Sequence, residues 1–303
     1  MKRRFALALS LLAGAAWAQS VDLNQGGPIE VTARDGMEWR QNEQLVIARG
    51  AARAVRGGVT IESDLLLARY RPRGGAPAEA RPANEGPGGA SEIWRLEAEG
   101  SVVITTATDR AEGDRAIYDL AQAVMVLTGR NLRLTSPDNV LTARDSVEYW
   151  PQRRMAVARG DAVVVTKDDK RVRADVLVAH FREAPAQAAG APRPQPARPA
   201  AAENAPGSDS NLEKVEAFGR VEIRTPTEVV RGDTGVYTPP NGLALLRGNV
   251  TIVRGNNTLT GCEAIVNMQT GISQLVACPG DRVRGIIVPG QNQNLPTPGA
   301  PPR

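Results

Sequence analysis

Aromatic residues make up only 4% of this 303-residue chain, histidine occurs once and cysteine twice. No second histidine and no cysteine cluster gives the spacing of a metal site. His180, in Leu177-Val-Ala-His180-Phe181, therefore reads as a half-buried strand residue and not as a base or metal ligand. The chain also lacks a serine-centred elbow, a phosphate-cradling glycine loop and a Cys-x-x-Cys pair. No catalytic constellation, metal or cofactor is expected from it. No apolar run is long enough to span a bilayer, and no stretch past the first residues keeps a 3.6-residue period.

What is present begins with an export signal. Lys2, Arg3 and Arg4 precede a short apolar stretch, and Ala16-Trp17-Ala18 fits a small-x-small cleavage site, so residues 1–18 are expected to be removed. The three leader cations account for most of the charge excess: 37 basic against 33 acidic residues becomes a net of +1 without them. A near-neutral chain gives no reason to expect nucleic acid as a partner.

A short pattern recurs along the rest. One half is an acidic residue followed by alternating apolar positions and usually an aromatic, as in Asp114-Arg-Ala-Ile-Tyr118, Asp145-Ser-Val-Glu-Tyr149 and Asp233-Thr-Gly-Val-Tyr237. Asp35, Asp64 and Asp175 open further copies, and Glu263 a weaker one. The other half is a glycine followed by alternating apolar residues: Gly100-Ser-Val-Val-Ile104, Gly219-Arg-Val-Glu-Ile223 and Gly248-Asn-Val-Thr-Ile252, with looser copies at Gly50, Gly129 and Gly160. The acidic positions recur every 29 to 31 residues except from 64 to 114 and from 175 to 233. Each long interval holds a tract rich in Pro, Ala and Gly, about 71–91 and 183–210. Such tracts bury too little apolar surface to offset ordering entropy, so both are expected to be disordered inserts, and the tail 289–303 likewise. A fixed period of this kind signals repeated units that bury their apolar faces against their neighbours.

The units are strands. Val, Ile and Leu alternate with Arg, Glu and Thr, and Gly, Asn, Pro and Asp mark two turns per unit. Seven units of about two strands predict an all-β, elongated antiparallel sheet of roughly 14 strands over residues 28–288, folded over an aliphatic interior. One parity gives a continuous apolar ladder: Val102, Ile104, Leu127, Val164, Val221, Ile223, Leu246, Val250 and Ile252. Leu243 and Leu245 are apolar on the other parity, so the face assignment is not unanimous. The copy at Gly129 runs one place out of register, which predicts a bulge there. The repeated aspartates are expected to start strands after turns and to accept local backbone N–H groups, in preference to lining a cation site. Cys262 and Cys278 lie 16 residues apart, close to half a repeat, so they could face each other on adjacent strands. A disulfide is favoured over two thiols in an oxidising compartment, and the Cα separation decides between them.

With its signal peptide, its Gly-x-Val-x-Ile strands and its Asp-x-Ala-x-Tyr strands, the chain resembles the OstA-like family. That group of lipopolysaccharide-transport proteins includes LptA and the soluble N-terminal domain of LptD. The resemblance implies a β-taco, or open β-jelly roll, in the periplasm, whose interior ladder forms a groove for lipopolysaccharide acyl chains. It further implies head-to-tail self-association by edge-strand pairing, bridging an inner-membrane complex to the outer-membrane translocon. The two inserts and the extra length depart from the family's short form. Two other classes compete with this one. A carbohydrate-active enzyme on a β-solenoid needs carboxylates converging on one site, whereas the acidic residues here recur evenly. A structural surface repeat would have a filled core and usually an anchor.

Overall fold

The computed structural model describes residues 29–72, 91–182 and 212–288. The leader, most of both inserts and the tail lie outside the described residues.

The alternation of apolar and polar residues is realised as one antiparallel meander. β1 (Glu30–Thr32) and β2 (Gly36–Arg40) lie end to end along β3 (Leu45–Arg56). Then follow β4 (Val59–Pro72), β5 (Ser91–Thr105) and β6 (Arg110–Asp119). β7 (Val124–Thr128) and β8 (Leu132–Thr135) both pair with β6, while β9 (Asn139–Ala143) and β10 (Ser146–Trp150) both pair with β11 (Met155–Thr166). The meander continues through β12 (Arg171–Phe181), β13 (Leu212–Arg224), β14 (Val229–Thr238), β15 (Leu243–Arg254) and β16 (Asn257–Asn267). β17 (Ile272–Val276) and β18 (Arg284–Ile286) share β16 as partner. Eighteen strands thus make fourteen rows, because four rows are each split into two short strands. The split rows are the first, the last and the adjacent middle pair, where β7 meets β10 and β8 meets β9.

Five rows shift register at the repeat glycines, between Arg49 and Ala52, Glu99 and Val102, Arg159 and Ala162, Phe218 and Val221, and Arg247 and Val250. In each, the glycine and the residue after it both take positive φ; Gly219 and Arg220, for example, have φ of 75° and 47°. An inserted left-handed pair bends the strand. Gly129, where a bulge was expected, instead marks the break between β7 and β8. A bulge leaves one residue extra within a continuous strand, whereas here pairing stops at Thr128 and resumes at Leu132.

The two halves of the repeat meet at these bends. The carboxylate of Asp175 fills the place where a Cβ on Gly219 would sit, and Asp233 does the same to Gly248. Asp35, Asp64 and Asp145 stand in the same way against Gly50, Gly100 and Gly160. Asp64, Asp114, Asp175 and Asp233 therefore lie within strands, not at strand starts after turns as expected. Their partners come from the next row: Arg220 ion-pairs with Asp175, Asn249 Nδ2 donates to Asp233 at 2.8 Å, and the Arg130 N–H donates to Asp114 at 3.0 Å. Aspartate and glycine stand 15 residues apart wherever no insert intervenes, as at 35/50, 145/160 and 233/248. The last unit keeps the spacing in Glu263 and Cys278, but there a bond between Cys262 and Cys278, with Cα atoms 4.9 Å apart, takes the place of the contact.

The line of bends is a crease that divides the sheet into two wings. Inner-face residues of both wings form one aliphatic core, including Ala98, Val102, Ile104, Val221, Leu246 and Val250. The ambiguous second parity has its own place. Ile47, Leu67, Ile117, Val126, Val157, Val178, Val236, Leu245 and Ile265 fall on one directly opposed line, interrupted at every third row by Glu97, Glu148 and Glu216. This line runs on the outer face, since its members alternate with core residues such as Ala244 and Leu246. Glu97 is buried there among the guanidiniums of Arg69, Arg95 and Arg115. Burial pushes its pKa up, but the arginines outweigh it and hold the carboxyl below its ordinary range.

Candidate functional site

The inner faces of the two wings do not close on each other along their whole length. Between them lies an apolar cleft of about 1740 Å³, part of it open to solvent, lined from β5 through β15 and by Met268 just past β16. Of the nine ladder residues, Ile104, Leu127, Val164, Val221 and Ile223 line this cleft. Val102, Leu246, Val250 and Ile252 share the inner face but are packed into the core beside it, each no more than 3% exposed. A second apolar cavity of about 510 Å³ lies among β3, β4, β5 and β6, bordered by Ala54, Ile61, Leu96 and Tyr118.

Two chemically distinct lips border the wings. At one strand end the aromatic that closes each acidic half-unit turns inward: Tyr70, Tyr118, Tyr149 and Phe181 are buried, and Tyr237 packs against the core. Tyr149, Phe181 and Tyr237 line the cleft. Among the described residues every aromatic except Phe218 gathers at this lip, where the Trp39 indole donates to the Tyr70 hydroxyl at 2.6 Å. The other lip is made of hairpin turns, four of which open with a hydroxyl residue: Thr106, Ser136, Thr166 and Thr225. The Thr106 hydroxyl accepts the Asp109 N–H at 2.9 Å, and Thr166 and Thr225 accept those of Lys170 and Glu228 at 3.2 Å. Such side-chain acceptors hold a tight turn. Sequence reasoning passed over this lip, although its signal, Ser or Thr three or four residues before Asp, Asn, Lys or Glu, recurs at four of its turns.

Asp109 is one of two buried acids on this lip, with Glu228; it is 5% exposed and borders the cleft. Burial raises its pKa, against the opposing pull of hydrogen bonds from Thr108, Ser136 and Thr106. The unfolded carboxyl ionises first, so this group's contribution to stability falls as pH rises from the ordinary carboxylate range through the raised folded pKa, then stays at the lower level. Asp109→Asn keeps an acceptor for the same hydroxyls and removes the buried charge. Thermal melts are expected to show the variant more stable than the parent at neutral pH, with that advantage gone well below the carboxylate range. A variant less stable at neutral pH would mean that the turn is built to hold the charged form.

No three His, Cys, Asp or Glu side chains gather as metal ligands among the described residues. His180 lies in β12 with Nε2 2.8 Å from Glu216 Oε2, and Lys214 reaches the same carboxylate at 2.9 Å, so the imidazole is tied into an ion-pair cluster at the surface. The site's chemistry is that of a mainly apolar cleft with one aromatic and one hydroxyl-bearing lip.

The sequence model of the family described as "LptA/(LptD N-terminal domain) LPS transport protein" matches residues 30–149 and again 145–272. The chain belongs to this family. The two matched stretches meet in β10, at the pair of split rows in the middle of the sheet. An uncharacterized protein of Rhizobium meliloti (strain 1021) is 26% identical over 141 residues, covering 44% of this chain and 70% of its own length. Among solved structures, that of LptH from Pseudomonas aeruginosa, titled as the LptA homologous periplasmic component of the lipopolysaccharide transport device, aligns at 18% identity. It covers 50% of this chain and 95% of its own, with a TM-score of 0.38.

Proposed function

We propose that this chain carries lipopolysaccharide through the periplasm, with the acyl chains in the cleft and the polar head groups beyond the lips. The observation that carries the reading is the continuous aliphatic cleft in a member of a lipopolysaccharide-transport family. Burial gains about 0.8 kcal/mol per CH₂, so an acyl chain of about a dozen carbons gains on the order of 9 kcal/mol by entering such a space. The groove proper is then Ile104, Leu127, Val164, Val221 and Ile223, with Val102, Leu246, Val250 and Ile252 as its packed foundation.

The same reading makes the chain one segment of a bridge from the inner-membrane complex to the outer-membrane translocon, joined head to tail to further copies. The first and last rows support this. Each is an edge with unpaired backbone groups, and most of the large apolar side chains left exposed sit on or beside them: Met37 and Trp39 at one end, Ile272, Val276, Ile286 and Ile287 at the other. An open edge of that kind is completed by strand addition.

The test is photo-crosslinking in living cells. A crosslinker at Ile104 or Ile223 is expected to capture lipopolysaccharide, whereas one at Glu222 or Thr251, on the outer face, is not. Equal capture from both faces would refute the groove.

A further inference from the structure

The two lips are joined at one place by side chains that neither the repeat nor the cleft accounts for. Glu228 belongs to the hydroxyl lip, in the turn between β13 and β14, yet it is only 5% exposed. A carboxylate in a hairpin turn ordinarily points into water. This one receives the Ser273 hydroxyl at 2.9 Å and the Arg254 guanidinium at 2.7 Å. Ser273 is in β17, one residue from that strand's start, and therefore belongs to the opposite, aromatic lip. Arg254, at the far end of β15, also crosses over and donates to the Gly271 carbonyl at 3.3 Å in the turn before β17.

Both sides of this contact are held in advance. Thr225 fixes the turn that carries Glu228, and the Asn267 side chain accepts the N–H groups of Gln269 and Thr270 at 2.9 Å, fixing the turn that presents Gly271 and Ser273. β17 is held by its pairing with β16 and, just beyond its end, by the Cys262–Cys278 bond. With both partners rigid, the contact breaks only if the wings part about the crease. A buried carboxylate deprived of its partners is strongly disfavoured, so such a contact is either made or fully open to water.

We propose that Glu228, Arg254 and Ser273 form a latch across the C-terminal mouth of the cleft, and that it must open for lipid to pass through that mouth. This rests on the lipid-carrying reading above. The cleft then has a closed resting state at that end, and passage to a following copy is conditional on the wings separating.

The latch can be locked without touching it. Thr227→Cys and Thr270→Cys place thiols on exposed positions of the two turns, and a short, photocleavable bis-maleimide joins them in the oxidised protein while the native disulfide stays intact. The probe is purified lipopolysaccharide, loaded onto the locked protein and offered to a second copy carrying a photo-crosslinker at Ile104. Locked protein should retain its own capture of lipopolysaccharide at Ile223 but transfer it at least about tenfold more slowly, with light restoring the rate. Spin labels on the same two cysteines, unlinked, should report a single short separation without lipid and a longer one with it. The double variant Glu228→Gln, Ser273→Ala should show the longer separation from the start. Capture with transfer as fast in the locked form as in the unlocked form would overturn the latch alone. Absence of capture in the unlocked protein would overturn the groove, and the latch's role with it.

Discussion

Gly219→Ala is expected to lower stability by more than the roughly 1 kcal/mol that alanine costs at an ordinary left-handed glycine. Two costs add. The methyl group disfavours the φ of 75° by roughly 1 kcal/mol. It also lands on the Asp175 carboxylate, which must leave its place and its pairing with Arg220, and that adds to the backbone cost. Gly255 is the control, with φ of 57° and nothing within 4 Å of where a methyl group would sit, so Gly255→Ala should cost only the backbone part. Urea denaturation of the two variants beside the parent separates the effects. Similar losses at both positions would show that the aspartate does not organise the crease.

The second large effect concerns the C-terminal rows. Cys262→Ser together with Cys278→Ser opens a loop of 16 residues, and loops of that size are worth roughly 3 kcal/mol when closed. Because the bond replaces the aspartate–glycine contact of the other units, its loss should be felt first in its own row. Hydrogen exchange is expected to show β17 and β18 losing protection while β13 to β15 keep theirs. β18 is three residues long and wholly exposed, so little else holds it. Unchanged exchange in β17 and β18 would assign those strands' order to pairing with β16 alone.

The row count was legible in the sequence because period-2 alternation and the 30-residue period are local signals that survive twist and bending. The inner-face ladder was legible for the same reason: all nine residues point inward. Which of them line the cleft was not. That depends on how far apart the wings stand, and the spacing is set by contacts between residues distant in the chain. Leu246, Val250 and Ile252 share β15, whose far end carries Arg254 and its ion pair with Glu228, and all three are packed into the core. The aspartates show a similar gap. Each motif was visible on its own, but the contact between Asp233 and Gly248 appears only when two rows are laid side by side. The constant interval of 15 was the available clue. The favoured disulfide, by contrast, followed from half a repeat of separation, and a Cα distance of 4.9 Å lies within the range that such a bond needs.

The split rows in the middle of the sheet bear on how the proposed conduit would fail. They repeat the form of the two outer edges, and they stand where one match to the family ends and the next begins. At that seam, β7 with β10 and β8 with β9 make the strand pairing that separate molecules would otherwise have to find by diffusion. A seam closed by the peptide chain has an effective concentration that dilution cannot lower. The proposed bridge, if built from such double-length pieces, would have about half as many joints that can come apart, and its continuity would depend correspondingly less on how much of the protein the cell supplies.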